Sequence, residues 1–139
     1  MTRVSYCIPT HDGNLRCQQY LFDIFYALSE QTNKDFNVWI SDHGKSDKVL
    51  KACQEYSDVF EINYVPNTNK LGNISANSNN ALSIADGEVL KLLFSDDFIL
   101  TNNLTQELDK AFTPEVSWAV TGFAHTIDDG RTYYNPKIP

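Results

Sequence analysis

Two rhythms of apolar and polar residues take turns along this chain: short strand-like runs closed by polar turns, and longer stretches in which apolar residues return at helical spacing. Residues 4–8, Val-Ser-Tyr-Cys-Ile, favour a strand. Pro9 stops it, holds Ile8 extended and opens a turn through Thr10, His11, Asp12 and Gly13. Across residues 15–31, Leu15, Leu21, Ile24, Phe25 and Leu28 share a broad helical face, Asn14 stands where an N-cap belongs, and Phe22, Phe25 and Tyr26 read as core aromatics. Residues 36–40, around Val38 and Trp39, predict a second strand that breaks at Ser41-Asp42-His43-Gly44, and Ser46 is placed to cap a helix through Val49, Leu50 and Cys53 to about Tyr56. Residues 60–65 alternate as a third strand ending at Pro66, and an Asn-rich loop leads to a helix over residues 74–84.

Gly87 punctuates the chain before Val89-Leu90-Lys91-Leu92-Leu93-Phe94, the near-continuous apolar run expected of a strand buried on both faces, which stops at Ser95-Asp96-Asp97. Beyond it the pattern predicts a short helix over residues 104–112, a strand over 118–126, and a hairpin turn at Asp128-Asp129-Gly130 into residues 132–134. Strands alternating with helices imply an α/β domain with a mostly parallel sheet, helices on both faces and right-handed crossovers. The 139 residues, 42% of them hydrophobic, hold one domain with a core, and no repeat, linker or low-complexity tract divides them.

Charge narrows the partners. A net charge of −7 argues against nucleic acid, whose binding needs a lysine and arginine surface. A phosphate-bearing ligand would need a metal ion or backbone N–H groups. Cys7, Cys17 and Cys53 lack both a pairing pattern and C-x-x-C spacing, and read as core or semi-buried thiols in a reducing compartment. With no signal-like start and no apolar run of membrane-spanning length, a soluble cytoplasmic protein is the expectation.

In parallel α/β sheets ligands bind beyond the carboxyl ends of the strands, so the chemistry is sought there. Asp12, Asp42, Asp96 and Asp97 stand at three of the four strand ends and would converge on one rim, where a hard divalent cation relieves carboxylate repulsion and can carry a diphosphate. Each has a plainer reading as well: Asp96-Asp97 can cap the next helix, and Asp42 can be a turn residue. Gly44-Lys45-Ser46 imitates the end of a P-loop, but Trp39 stands where its first glycine belongs. His11, His43 and His125 are scattered, as structural histidines are.

These residues resemble the family 2 glycosyltransferases with the GT-A fold. Val4-Ser5-Tyr6-Cys7-Ile8-Pro9-Thr10-His11-Asp12 is similar to the family's opening strand and I-P-T-[YFH]-N turn, and Gln31 closes the first helix as it does there. Ile40-Ser41-Asp42-His43-Gly44-Lys45-Ser46-Asp47 resembles V-D-D-G-S-x-D, with His43 replacing the second aspartate. Asn69-Lys70-Leu71-Gly72 with Ala76-Asn77, then Ala85-Asp86-Gly87-Glu88, resemble N-x-x-G…A-N and A-x-G-E, and Ser95-Asp96-Asp97 sits where the metal-binding D-x-D belongs, Ser95 replacing its first aspartate.

The resemblance implies a nucleotide-diphospho-sugar transferase fold, with residues 1–100 as the nucleotide-binding part and 101–139 as a partial acceptor-side part. It implies that Pro9, Thr10, His11, Asp12, Asp42, Lys70, Asn77 and Asp96 bind the nucleotide, with Asp42 accepting a hydrogen bond from a uracil-type base, and that Asp97, with Asp96, ligates Mn2+ or Mg2+. The implied activity is transfer of a sugar from a nucleotide-diphosphate donor, UDP-linked, to an acceptor hydroxyl with inversion. No catalytic base is assigned, since Asp128 and Asp129 qualify by charge alone. A truncated, non-catalytic nucleotide-sugar-binding or interaction domain is the alternative, and a partner chain or second copy is left open.

Overall fold

The computed structural model describes residues 2–126 and 133–134. Strands β1 (Val4–Thr10), β2 (Phe36–Asp42), β3 (Ile62–Pro66) and β4 (Val89–Leu92) alternate with helices α1 (Cys17–Ser29), α2 (Lys48–Tyr56), α3 (Ile74–Ile84) and α4 (Leu104–Ala111). The four strands form one parallel sheet in the order β3-β2-β1-β4. The chain therefore steps outward from β1 to β3, then returns across β1 to add β4, which puts the switch point between β1 and β4. Thr10 pairs with Asp42 and Asp42 with Pro66, so three strand ends finish level.

The two faces of the sheet are built from different chemistry. On one, Val4, Tyr6 and Ile8 with Phe36, Val38 and Ile40 meet Leu21, Ile24, Phe25 and Leu28 of α1, Val49, Ala52 and Cys53 of α2, and Leu108 of α4, an apolar core of the size that stabilises a small domain. The other face is polar and held by hydrogen bonds. Ser5 Oγ donates to Asn37 Oδ1 (2.6 Å), Asn37 Nδ2 to Asp86 Oδ1 (2.9 Å) and the Gly87 N–H to Ser5 Oγ (2.9 Å). Gly87 is a glycine because a Cβ there would lie 2.5 Å from Ser5 Oγ and 2.7 Å from Ser5 N. Gln31, 1% exposed, fastens α4: its Oε1 accepts the Thr105 N–H (3.0 Å) and its Nε2 donates to the Ala27 and Thr101 carbonyls.

The α/β class, the parallel sheet and the helices on both faces are as the sequence predicts, and several details differ. β4 is not buried on both faces: it pairs only with β1 among the described residues, and as an edge strand leaves Leu90 41% exposed. The predicted strand over residues 118–126 shrinks to β5 (His125–Thr126), antiparallel to β6 (Tyr133–Tyr134), because Trp118 and Val120 have no sheet among the described residues to alternate against and stand 75% and 78% exposed. The Asp128-Asp129-Gly130 turn lies outside the described residues.

Asn14 shapes the entry to α1 rather than capping it. Its Oδ1 takes the Arg16 N–H (2.8 Å) and its carbonyl the Cys17 N–H (3.1 Å), so the helix starts late and Leu15 points to solvent. Tyr26, expected in the core, is 62% exposed, whereas Phe25 is fully buried. Asp47, not Ser46, occupies the N-cap position of α2. All three cysteines are buried and free, and among the described residues no helix is long and apolar enough to cross a membrane.

Candidate functional site

A cavity of about 810 Å³ opens at the switch point, between the turn after β1 and the turn after β4. Of the residues expected to bind nucleotide, Pro9, Thr10, His11, Asp12, Asn77 and Asp96 lie on its wall. The β1 turn is preorganised: the Gly13 N–H donates to His11 Nδ1 (3.1 Å), while Asp12 Oδ2 accepts the N–H groups of Lys45 (3.1 Å) and Ser46 (2.6 Å). Interaction with the Ser46 side chain first, then these N–H groups, holds the Asp12 pKa below the ordinary aspartate range.

Asp42 stands behind the wall rather than on it. It is 2% exposed, and its carboxylate accepts from Thr10 Oγ1 (3.0 Å), the Gly44 N–H (2.8 Å) and the Tyr64 hydroxyl (2.9 Å). Gly44 has to be small, since a Cβ would lie 2.8 Å from Asp42 Oδ1 and 3.2 Å from Asp12 Cγ. Burial, followed by the bond to Asp42, pushes the Tyr64 pKa upward and keeps the phenol a donor.

Asn77 reaches the wall with its hydrogen-bonding capacity spent. Nδ2 donates to the Thr10 and Ser41 carbonyls (3.0 Å each), and Oδ1 accepts from Ser41 Oγ (2.7 Å) and Asn67 Nδ2 (3.1 Å). It clamps the ends of β1 and β2 to α3 and has no polar capacity left for a ligand. Lys70 is off the wall and adopts a left-handed φ of 51°, turning the loop so that Leu71, Gly72 and Ile74 face the cavity instead.

The sequence reading missed Tyr64 and Asn67, whose roles exist only through partners brought together by the fold. It also missed Tyr20, Cys17, Leu71 and Ile74 on the wall. Helical spacing signals that Cys17 and Tyr20 share a helix, but not that this helix starts at the cavity.

The comparisons with known proteins bear on the same region. The family model described as Glycosyl transferase family 2 matches residues 5–139. The chain belongs to glycosyl transferase family 2. A curated relative in Campylobacter jejuni, GalNAc(5)-diNAcBac-PP-undecaprenol beta-1,3-glucosyltransferase, is 29% identical over 112 residues, covering 80% of this chain and 35% of its own length.

Solved structures with the same fold include TarS of S. aureus in complex with UDP, with a TM-score of 0.65 and 21% identity over 76% of this chain and 30% of that one. Another is the mannosyltransferase PcManGT of Pyrobaculum calidifontis in complex with GDP-Man and Mn2+, with a TM-score of 0.62 and 22% identity over 82% of this chain and 33% of that one. The chain thus spans about a third of the length of these relatives.

In this family 2 chain the two carboxylates after β4 part company. Asp96 lies on the wall of the large cavity and of a second one, of about 370 Å³, whereas Asp97 faces only the second, beside Lys91, Thr121 and His125. Asp97 Oδ2 accepts the Phe94 N–H (3.3 Å), and its pKa is raised by loss of water around the carboxylate and, more weakly, by the neighbouring Asp96 charge. Among the described residues no group of three His, Cys, Asp or Glu side chains could enclose a metal. A pair of carboxylates fits a hard cation that keeps waters and takes its remaining ligands from phosphate oxygens, the usual arrangement for magnesium at nucleotide sites.

Proposed function

We propose that this chain is the donor-holding part of a glycosyltransferase: it binds a UDP-linked sugar in the large cavity and presents it for transfer to an acceptor hydroxyl with inversion. The observation that carries this reading is the position of that cavity, at the topological switch point between β1 and β4, with Asp96 on its wall. UDP and UDP-GlcNAc in the TarS complexes, and GDP-Man with Mn2+ in PcManGT, favour a nucleotide-sugar ligand for this fold.

Asp96 and Asp97 would hold Mn2+ or Mg2+. When bound, the cation supplies Lewis-acid stabilisation of the departing diphosphate. The protein's own part is to position. The Pro9–Asp12 turn, fastened through Asp12 to the Lys45 and Ser46 N–H groups and through Thr10 to Asp42, fixes the edge on which the nucleotide lies. Its pre-set geometry spares the ordering cost of binding.

The second cavity, next to Asp96 and Asp97 and walled by Thr121, Phe123 and His125, is where we place the acceptor side. A second reading, nucleotide-sugar binding without transfer, is favoured by one observation: apart from Asp96 and Asp97 that cavity carries no carboxylate among the described residues. Competition separates the nucleotide classes. UDP-GlcNAc should displace labelled UDP from the Mn2+-loaded chain and GDP-Man should not; equal displacement by GDP-Man would remove the uridine assignment.

A further inference from the structure

Lys91 is the one charged residue of β4, and it stands on the strand's core-facing side. Side chains two apart share a face. Val89 and Leu93 to either side of it are buried in the apolar core, as is Tyr6, its register partner on β1. Alternation would put an apolar residue at this position, and a half-buried lysine there gives up part of its hydration. The protein returns little of it. Nζ donates to Thr121 Oγ1 at 3.3 Å, a long hydrogen bond to a neutral group, and no carboxylate among the described residues pairs with it.

That bond fixes where the ammonium lies. One wall of the second cavity comes from β4 and the segment after it, and the other from residues 121–126. Lys91 belongs to the first and Thr121 to the second, so Nζ bridges them, with two of its three N–H bonds unused among the described residues. Leu100 and Phe123 on these walls are each 57% exposed, so the cavity is reachable from solvent.

We propose that Lys91 sets the class of acceptor: its ammonium holds an anionic group, a phosphate or a carboxylate, on the molecule whose hydroxyl receives the sugar. This rests on the reading of the second cavity as the acceptor side. A lysine is a point charge with rotatable donors, and a hydrogen bond from it to an anionic oxygen is about twice as strong as one between neutral groups. The acidic surroundings do not forbid this. Asp96 and Asp97 are matched by the cation they would hold, whereas Lys91 has no paired counter-charge until a ligand brings one.

The probes are small sugars that differ in charge: methyl glucoside, methyl glucuronide and glucose 1-phosphate. Each is titrated by calorimetry into the chain preloaded with Mg2+ and UDP, as wild type, Lys91→Met and Lys91→Arg, once the UDP affinity and thermal melt of each protein have been measured. Wild type should bind at least one anionic probe about tenfold more tightly than methyl glucoside, and the tighter of the two identifies the group. Lys91→Met should erase that preference and Lys91→Arg keep it, with UDP affinity the same in all. Equal or absent binding of the probes by wild type, or a preference that survives Lys91→Met, would overturn the proposal and leave the donor site standing. So would weaker UDP binding by Lys91→Met, which would assign the ammonium to the donor diphosphate. Absence of UDP binding to wild type would remove the donor reading and this proposal with it. Should Lys91→Met fail to fold, Lys91→Gln, which keeps a donor for Thr121 without the charge, takes its place with the same expectations.

Discussion

Four aspartates gather at the strand ends, and the way each is held determines what its substitution does. Asp96 makes no hydrogen bond to another described residue, so Asp96→Asn should leave the melting temperature unchanged while weakening Mn2+-dependent UDP binding by about tenfold or more, read by calorimetry beside a thermal melt. Asp12 is the opposite case, since its carboxylate satisfies the N–H groups that lead into α2. Its folded pKa is depressed, so its stabilising contribution is complete above the unfolded value of about 3.9 and is lost as pH falls through the lower folded value. Urea midpoints should therefore show Asp12→Ala below wild type at neutral pH, with the gap narrowing as pH falls below the ordinary aspartate range; a gap independent of pH would mean that the carboxylate charge is not what holds the turn. That acids would sit at the strand ends was legible in the sequence, because a turn residue after an apolar run has only one place to go. The burial of Asp42 was not, because it depends on Tyr64, which belongs to another strand and becomes a neighbour only in the folded sheet.

Among the elements, β1 and β2 were readable because their apolar alternation and polar stops agree with their central positions. β4 misled because a continuous apolar run looks the same at an edge as at a centre, and residues 118–124 misled because alternation without a partner strand does not make one. The polar face under α3 was hardest to foresee, since Ser, Asn and Gly usually signal loops. Here they form a buried hydrogen-bonded layer. Two substitutions test that layer. Gly87→Ala forces a methyl against Ser5 backbone and should cost about 1–3 kcal/mol in urea unfolding. Asn77→Ala removes the side-chain donor to the Thr10 and Ser41 carbonyls and the acceptor of Ser41 Oγ and Asn67 Nδ2, and should cost about 2 kcal/mol or more. A near-neutral Asn77→Ala that nonetheless abolishes UDP binding would make Asn77 a ligand contact rather than a clamp.

At the scale of the whole molecule, the proposed function has a chain of net charge −7 bind a diphosphate, with Asp96 and Asp97 adding negative charge at the proposed site. Coulomb repulsion between such like charges opposes binding unless a cation intervenes. Family membership and the fold agree with such a site, and the position of the cavity at the switch point is what ties the charge, the fold and the ligand together. The most direct test of that link is a calorimetric titration of UDP into the purified chain, first with Mn2+ and then with chelator. Saturable binding that requires Mn2+ and disappears with chelator is the predicted result. Absence of binding in both conditions, or equal affinity with and without the metal, would contradict it.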